Sequence, residues 1–339
     1  ALIGFGFGWT QGKPLLEIPT PLDFIVVVGC LIFLFNVAMT VIKGRRTAIL
    51  GMLLGGLTFL ALLYVFGMPF YRNLSIDWFY WWWVVHLWVE GAGELVTAAI
   101  LAFVLIKITG VDRRVAEKYL YLETALFLFT GLAGTGHHYY WIGAPGTWLW
   151  IGGIFSAMEV LPIIAMVVDT FLTQKRQGVV IKQKVVWLFA LGTAIGHLVG
   201  AGVFGFAHTL PQINYYTHGS QITSSHGHLA FFGAYGLLNL TMFWYAIPRL
   251  RGVSRFKAST AIWGFWIMCL SVLGIGIAMG IAGVIQTYFE RVLGESFMTA
   301  QGYMQLWFKV VIFFGVCLLS GVILTFWNMM TAKQTVEKG

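Results

Sequence analysis

Charged side chains are scarce in this sequence of 339 residues. Asp, Glu, Lys and Arg together make up 10% of the chain, whereas a soluble domain carries about 25%. Hydrophobic residues make up 59%. This composition excludes an ordinary soluble protein and favours a bundle of helices surrounded by lipid, where an apolar outer surface is stable.

Acidic residues and cysteines are also few. The 13 acidic residues leave a net charge of +8, but the basic residues cluster between apolar runs, which indicates membrane topology rather than nucleic-acid binding. Cys30, Cys269 and Cys317 lie in apolar stretches without a CxxC pair, so we predict no disulfide or zinc framework. We predict no signal peptide in this sequence, and because it starts at Ala1 we expect the chain to be processed or incomplete.

Apolar runs account for most of the chain. Each is long enough for the ~20 residues that cross a bilayer. We predict an all-α integral membrane protein in which residues 1–339 form a single transmembrane domain. The nine predicted spans are 22–43, 48–70, 79–107, 116–141, 147–173, 185–209, 220–247, 261–288 and 303–331.

The connections between these spans alternate in charge. The segments KGRR (43–46), KRQGVVIKQK (175–184) and RLRGVSRFK (249–257) are basic, whereas the intervening connections carry few Lys or Arg residues. The positive-inside rule places the basic connections in the cytoplasm. The N-terminus is then predicted outside and the C-terminus inside.

Ionisable residues interrupt the third apolar run, VVHLWVEGAGEL (84–95). His86, Glu90 and Glu94 recur every fourth residue, so a helix places them on one stripe. An unpaired charge in the membrane core costs several kcal/mol, and ionisable residues there usually have a function.

Four further histidines fall on two other spans at a similar predicted depth, toward the outer half of the membrane. His137 and His138 are adjacent in GTGHHYYWIGAP, and with a third membrane imidazole they suit iron, copper or zinc. His226 and His228, in SSHGHLAFFG, point about 200° apart on a helix. Each could therefore supply an axial ligand to a different haem. The alternative for any of them is a structural hydrogen bond to a neighbouring helix.

Several motifs stand in an order and spacing that resemble the haem–copper oxidase superfamily, and within it the cytochrome c-dependent nitric oxide reductases. The motifs are HLWVEG, GTGHHYYWIGAPG, FSAMEVLP, GAGVFGF, NYYTHGSQITSSHGHLAFFGAY and AIPRLRG. The resemblance implies that this transmembrane domain is catalytic and has the helical bundle of that superfamily, with nine of an expected twelve transmembrane helices visible.

The resemblance also implies the cofactor ligands. His86, His137 and His138 would bind a non-haem metal. His226 would be the axial ligand of a high-spin haem b3 and His228 that of a low-spin haem b. Glu17, in LLEIPTP, would help to bind a calcium ion near the haem propionates.

Glu90 separates the subfamilies. Oxygen-reducing relatives carry a redox-active tyrosine one turn after the first metal histidine, where this chain has Glu90. A carboxylate is a hard oxygen ligand, so we predict iron rather than copper opposite the haem. The implied reaction converts two NO, two protons and two electrons into N2O and water. An NO dismutase-like or oxygen-reducing relative is the alternative.

Protons must reach a buried site of this kind. Carboxyl groups in apolar surroundings exchange protons near neutrality, so we predict that Glu94 and Glu159 form a relay and that Glu90 adds a proton role to metal binding. A structural carboxyl is the alternative for Glu94 and Glu159. We interpret five other polar residues as packing or structural groups: Glu123, Asp169, His197, His208 and His218.

The resemblance implies an inner-membrane location, an active site toward the periplasm, and a membrane-anchored cytochrome c subunit as electron donor. Two features depart from it. Gly93 stands where a bulky residue is usual, and three early spans, which would carry the second axial histidine of the low-spin haem, are not visible. A proton-coupled transporter and a scaffold with structural histidines are rival interpretations; both predict a protein without haem or metal.

Overall fold

A computed structural model of the chain describes residues 2–44, 46–158 and 161–334. Within these ranges the chain is almost entirely helical. One short antiparallel pair joins β1 (Val253–Arg255) to β2 (Lys333–Gln334), with Val253 opposite Gln334. The helices are α1 (Leu2–Gly6), α2 (Thr20–Lys43), α3 (Ala48–Gly67), α4 (Leu74–Thr109), α5 (113–139), α6 (Thr147–Ser156), α7 (Leu161–Arg176), α8 (Lys184–Thr209), α9 (Pro211–Thr217), α10 (Gln221–Leu250), α11 (Ala258–Val292) and α12 (Phe297–Met330).

Eight helical stretches in the described residues are long and apolar enough to cross a membrane. They match eight of the nine predicted spans, with Thr147–Arg176, which includes α6 and α7, counted as one. The ninth prediction, 116–141, falls on α5, which is divided into Arg113–Leu126, Phe127–Gly131, Leu132–Gly134 and Thr135–Tyr139. The predicted all-α, multi-pass membrane protein is confirmed.

Several membrane helices begin where a polar side chain replaces the missing backbone acceptor. In each case a side-chain oxygen accepts a hydrogen bond from a backbone N–H of the first turn, which would otherwise have no partner. The capping residues are Thr47, Asn73, Ser220 and Ser296.

The chain divides into two compact units. The first comprises Ala1–Ala102 with Glu117–Glu159, and the second comprises Phe103–Ala116 with Val160–Gly339. The core of the first contains Leu63, Trp81, Val84 and Leu87. The core of the second contains Phe189, Trp244, Phe265 and Met268. The prediction of a single domain stays a prediction.

A buried lysine fixes the N-terminal segment of the first unit. Lys13 Nζ donates to the carbonyl oxygens of Gly67 at 3.2 Å and Pro69 at 2.7 Å, and lies 3.7 Å from Asp77 Oδ1. Burial lowers the pKa of Lys13, and the Asp77 carboxylate partly offsets this. The segment therefore ties the end of α3 to the start of α4, the helix that carries the first candidate ligand.

Five of the helices contain a turn of wider π-helix, a feature that is frequent at functional sites. The turn in α4, Leu87–Ala92, contains Glu90. The others are Phe127–Gly131 in α5, His197–Val203 in α8, Phe231–Gly236 in α10 and Tyr288–Val292 in α11.

Candidate metal centre and paired imidazoles

Three imidazoles and one carboxylate converge in the first unit. Glu90 Oε2 lies 3.3 Å from His86 Nδ1, and Glu90 Oε1 lies 3.6 Å from His137 Nε2 and 3.2 Å from His138 Nε2. One ligand atom from each residue falls within 4.8 Å of all the others. His86 is fully buried, and the other three are half-buried. The geometry therefore provides four donors for one ion.

A close approach between two helices positions His137 and His138. Both lie in the 3-10 segment Thr135–Tyr139 that ends α5, and α6 packs directly against this segment. A Cβ added at Gly152 of α6 would lie 2.2 Å from the backbone nitrogen of His137. Glycine is therefore required at position 152, because any side chain there would push the segment away.

Contacts from outside the cluster, one a hydrogen bond and one a ring stack, orient two of the rings. Ser156 Oγ donates to Gly134 O at 3.1 Å, so its lone pair accepts from His137 Nδ1 at 2.6 Å. This places the proton on Nδ1 and leaves Nε2, which faces Glu90, as the basic nitrogen. The ring of His138 stacks on Trp82 with centroids 5.2 Å apart and planes 6° apart.

Two more carboxyl groups lie beside the cluster. A cavity of about 10 Å³, lined by Glu90, Glu94, Glu123 and Thr130 among others, has close to the ~10–15 Å³ that one water needs. The side chains of Glu94 and Glu123 are hydrogen-bonded to each other, and Glu123 is 5% exposed. Two carboxyl groups form this bond only when one of them carries a proton.

Sequence reasoning missed the position of Glu123, which it interpreted as a packing group. The available signal was a repeat of seven, because Glu123, Thr130 and His137 fall on one stripe of α5. The predicted relay residue Glu159 lies outside the described residues. The predicted calcium ligand Glu17 is exposed and accepts a hydrogen bond from the Leu15 amide at 3.0 Å; in the described part of the chain it belongs to no cluster of metal-binding side chains.

The second unit holds the two imidazoles predicted to bind haem. His226 Nδ1 is 2.8 Å from Gly200 O, and His228 Nδ1 is 2.8 Å from Ser224 O. A carbonyl accepts only from a protonated nitrogen, so Nε2 is the basic nitrogen of each ring. The first bond depends on close packing of α8 on α10, because a Cβ at Gly200 would lie 2.5 Å from the carbonyl carbon of Leu229.

The three histidines interpreted as structural also lie in the second unit. The ring of His208 stacks on that of His226, with centroids 5.1 Å apart, a contact that the sequence did not indicate. His197 is buried in the π turn of α8. His218 follows α9 and lies 3.0 Å from an Arg291 nitrogen.

The fold and this set of ligands define a class. The family model for cytochrome c and quinol oxidase polypeptide I matches residues 1–317, so the chain belongs to that family. The fold is similar to that of a haem–copper terminal oxidase dimer solved by cryo-EM, with a TM-score of 0.60 and 15% identity over 99% of this chain and 61% of that one. At this identity the likeness concerns the fold alone.

A curated relative narrows the comparison. The chain is 47% identical over 317 residues to a subunit of the nitric oxide reductase of Stutzerimonas stutzeri, in an alignment that covers 92% of this chain and 66% of that protein. The resemblance to this group of reductases is therefore confirmed. The chain spans less than two thirds of the length of either protein. Membership of the family implies haem and metal cofactors.

Proposed function

We propose that this protein reduces two NO to N2O and water at a binuclear centre of haem b3 and non-haem iron, taking up two protons and two electrons. The observation that carries the proposal is the convergence of three imidazoles and the Glu90 carboxylate within 4.8 Å. The 47% identity to the nitric oxide reductase of Stutzerimonas stutzeri supports the same reaction.

The donor set fits the proposed metal. His86, His137 and His138 supply neutral nitrogen ligands, and the Ser156 hydroxyl holds one of them in the required tautomer. Glu90 adds an oxygen ligand and a negative charge, which favour iron over a soft metal. No tyrosine stands at this position to supply an electron and a proton for O–O cleavage, which argues against oxygen reduction.

The imidazoles of the second unit fit two haems. We assign the two imidazoles to different haems, because residues 226 and 228 lie on opposite sides of α10 and each ring is bonded through Nδ1 to a backbone carbonyl. The resemblance to the nitric oxide reductases implies which is which: His226 for the high-spin haem b3 and His228 for the low-spin haem b. When bound, the haems and the iron would supply the two electrons that the reduction of two NO requires; His226 and His228 would hold the haems, and the Glu90 cluster would hold the iron.

Protons are held by the carboxyl groups beside Glu90. Glu94 and Glu123 share a hydrogen bond that contains one proton, and the adjoining cavity has room for a water that can pass it toward Glu90. Glu159 is assigned to the same relay from its sequence position.

The remaining assignments concern location and partners. We propose the inner membrane with the site toward the periplasm, because the basic connections lie on the opposite side. We further propose a membrane-anchored cytochrome c subunit as electron donor. Glu17, whose exposed carboxylate is accessible to a cation, is the proposed calcium ligand.

Product analysis on the purified holoenzyme tests the reaction. With ¹⁵N-labelled NO and an artificial electron donor, we expect two NO consumed per N2O formed, without release of N2 or O2. Metal analysis should give three iron atoms per protein, two in b-type haem and one non-haem, and no copper. Formation of N2 with O2 would support dismutation instead, and copper in the non-haem position would contradict the metal assignment.

A further inference from the structure

A cavity of about 510 Å³ opens in the second unit, and neither His226 nor His228 lines it. It lies between the start of α8, the end of α10 and the start of α11. Its volume falls in the ~300–1,000 Å³ range of small-molecule sites. The apolar part of its wall is formed by Val185, Val186, Trp244 and Phe256.

Three cationic side chains line the same cavity: Lys182, Lys184 and Arg249. Among the described residues, no carboxylate forms an ion pair with any of them. Arg249 is held in place, because its Nη2 donates to Gln183 Oε1 at 2.9 Å and its guanidinium lies 3.8 Å from the centre of the Tyr245 ring. The cavity therefore has a fixed excess of positive charge.

Two further features favour an anion. The first turn of α8 lines the cavity, and Gln183 at its N-cap makes no side-chain capping bond. The positive end of the helix dipole is therefore not neutralised by a cap. Independently, Trp244 is 1% exposed and its indole Nε1 has no acceptor among the described residues. A buried donor without an acceptor is costly, and a ligand oxygen would satisfy it.

We propose that this cavity binds one anionic phospholipid. Its phosphate would lie among the three cations, and the first part of an acyl chain would lie along the apolar wall. A free phosphate would leave that wall exposed to water, whereas a zwitterionic lipid would bring a cation toward three others. The position agrees with the predicted cytoplasmic face, where basic pockets between membrane helices recognise anionic headgroups.

Lipid binding to the delipidated holoenzyme tests the proposal. Native mass spectrometry would count bound phosphatidylglycerol and phosphatidylcholine during titration of each. We expect one saturable phosphatidylglycerol site that is absent for phosphatidylcholine. Combined replacement of Lys182→Gln, Lys184→Gln and Arg249→Gln should weaken it by about 100-fold.

A matched variant controls for net charge. Lys107→Gln, Lys175→Gln and Arg176→Gln remove three charges at the same predicted face without touching the cavity, and should leave the affinity unchanged. Trp244→Phe keeps an aromatic ring but removes the indole donor, and should weaken binding severalfold. An unchanged haem spectrum shows that each variant is folded.

Three results would overturn the proposal. Equal binding of both lipids would show that the cations are not used. Competition by inorganic phosphate at the same concentration as the lipid would indicate a phosphate site. Equal loss in the control triple variant would indicate a general charge effect.

Discussion

The two histidine sites of this protein are built in opposite ways. In the first unit, three imidazoles from two helices converge on one carboxylate, and Glu90 lies within 3.6 Å of all three. In the second unit, His226 and His228 diverge from a single helix, and each ring is bonded through Nδ1 to a backbone carbonyl. One site is made by packing helices together, and the other by the periodicity of one helix.

This difference determines what each site needs. A converging set places several nitrogens and a carboxylate in van der Waals range, which is favourable only when a cation or shared protons lie between them. A diverging pair needs no such compensation, but its rings must be fixed so that each can meet a flat ligand from its own side. Loss of one ligand should therefore affect the two sites independently.

The largest expected effect is the loss of one cofactor without the other. Glu90→Ala should remove the non-haem iron and reduce NO turnover to background while both haem spectra remain. His226→Ala should remove the high-spin haem spectrum while the non-haem iron remains. Optical spectra combined with iron quantification on each purified variant would measure both effects.

Loss of both kinds of cofactor in a single variant would contradict the independence of the two sites. If Glu90→Ala abolished both haem spectra, Glu90 would have a structural role and the two sites would form one folding unit. His208→Gln is a useful companion, because its ring stacks on His226 and its loss should shift the haem spectrum without changing the iron content.

A smaller loss of metal affinity is expected when a residue that orients one of the converging imidazoles is replaced. Ser156→Ala removes the acceptor of His137 Nδ1, so the ring is free to rotate and change tautomer. Loss of such a partner typically costs about 10- to 100-fold in metal affinity. Titration of the metal-depleted protein with ferrous iron would measure it.

Thr135→Val is the matched control for this prediction. Thr135 is a buried hydroxyl in the same helical segment, but it donates to the Gly131 carbonyl rather than to a ligand. It should leave the iron affinity within a few-fold of the wild type. Equal losses in both variants would mean that packing, and not ring orientation, controls the metal.

The sequence predicted which residues form each site better than it predicted the contacts that hold their side chains in position. Ionisable residues inside apolar runs are rare and costly, so His86 and Glu90 were visible from composition and spacing alone. The Ser156 hydroxyl and the Gly200 carbonyl were not visible, because each acts through the packing of two separate helices, which the sequence pattern does not specify. Glu123 was visible as a packing group, but its hydrogen-bond partner Glu94 was not, since that residue lies on another helix.

Glu123 gives the next prediction, with a severalfold effect on turnover. Glu123→Gln keeps a hydrogen bond to Glu94 but cannot carry a proton, so NO reduction should slow and its dependence on pH should change. The haem spectra and the iron content should stay as in the wild type. Steady-state rates between pH 5.5 and 8.5 would show the change.

Two variants make this result interpretable. Glu123→Asp retains a titratable group and should restore part of the rate. Glu117→Gln changes a buried carboxyl on the same helix that does not line the cavity, and should leave the pH profile unaltered. A rate that falls equally in Glu123→Gln and Glu117→Gln would contradict a role for Glu123 in proton delivery.

The smallest expected effect concerns His218, a histidine outside the proposed ligand sets. Its behaviour with pH can be compared with that of the proposed ligands. Burial lowers the pKa of His218, and the nearby Arg291 guanidinium lowers it further, while backbone acceptors at Asn214 and Tyr215 partly offset both. Below the ordinary histidine pKa of about 6.5, the unfolded segment therefore binds more protons than the folded one. Its stability should rise with pH and be lost as the pH falls through this range.

Hydrogen exchange of α9 would detect the change. After correction for the intrinsic rate, its amides should exchange faster at pH 5.5 than at pH 7.5 in the wild type. His218→Gln should remove the difference, because no group remains to bind the proton. Arg291→Gln should only reduce it, since desolvation is the larger cause of the lowered pKa. If the pH dependence persists in His218→Gln, another group causes it. His218 would then contribute no pH dependence of its own, like the imidazoles whose tautomer is fixed by a hydrogen bond.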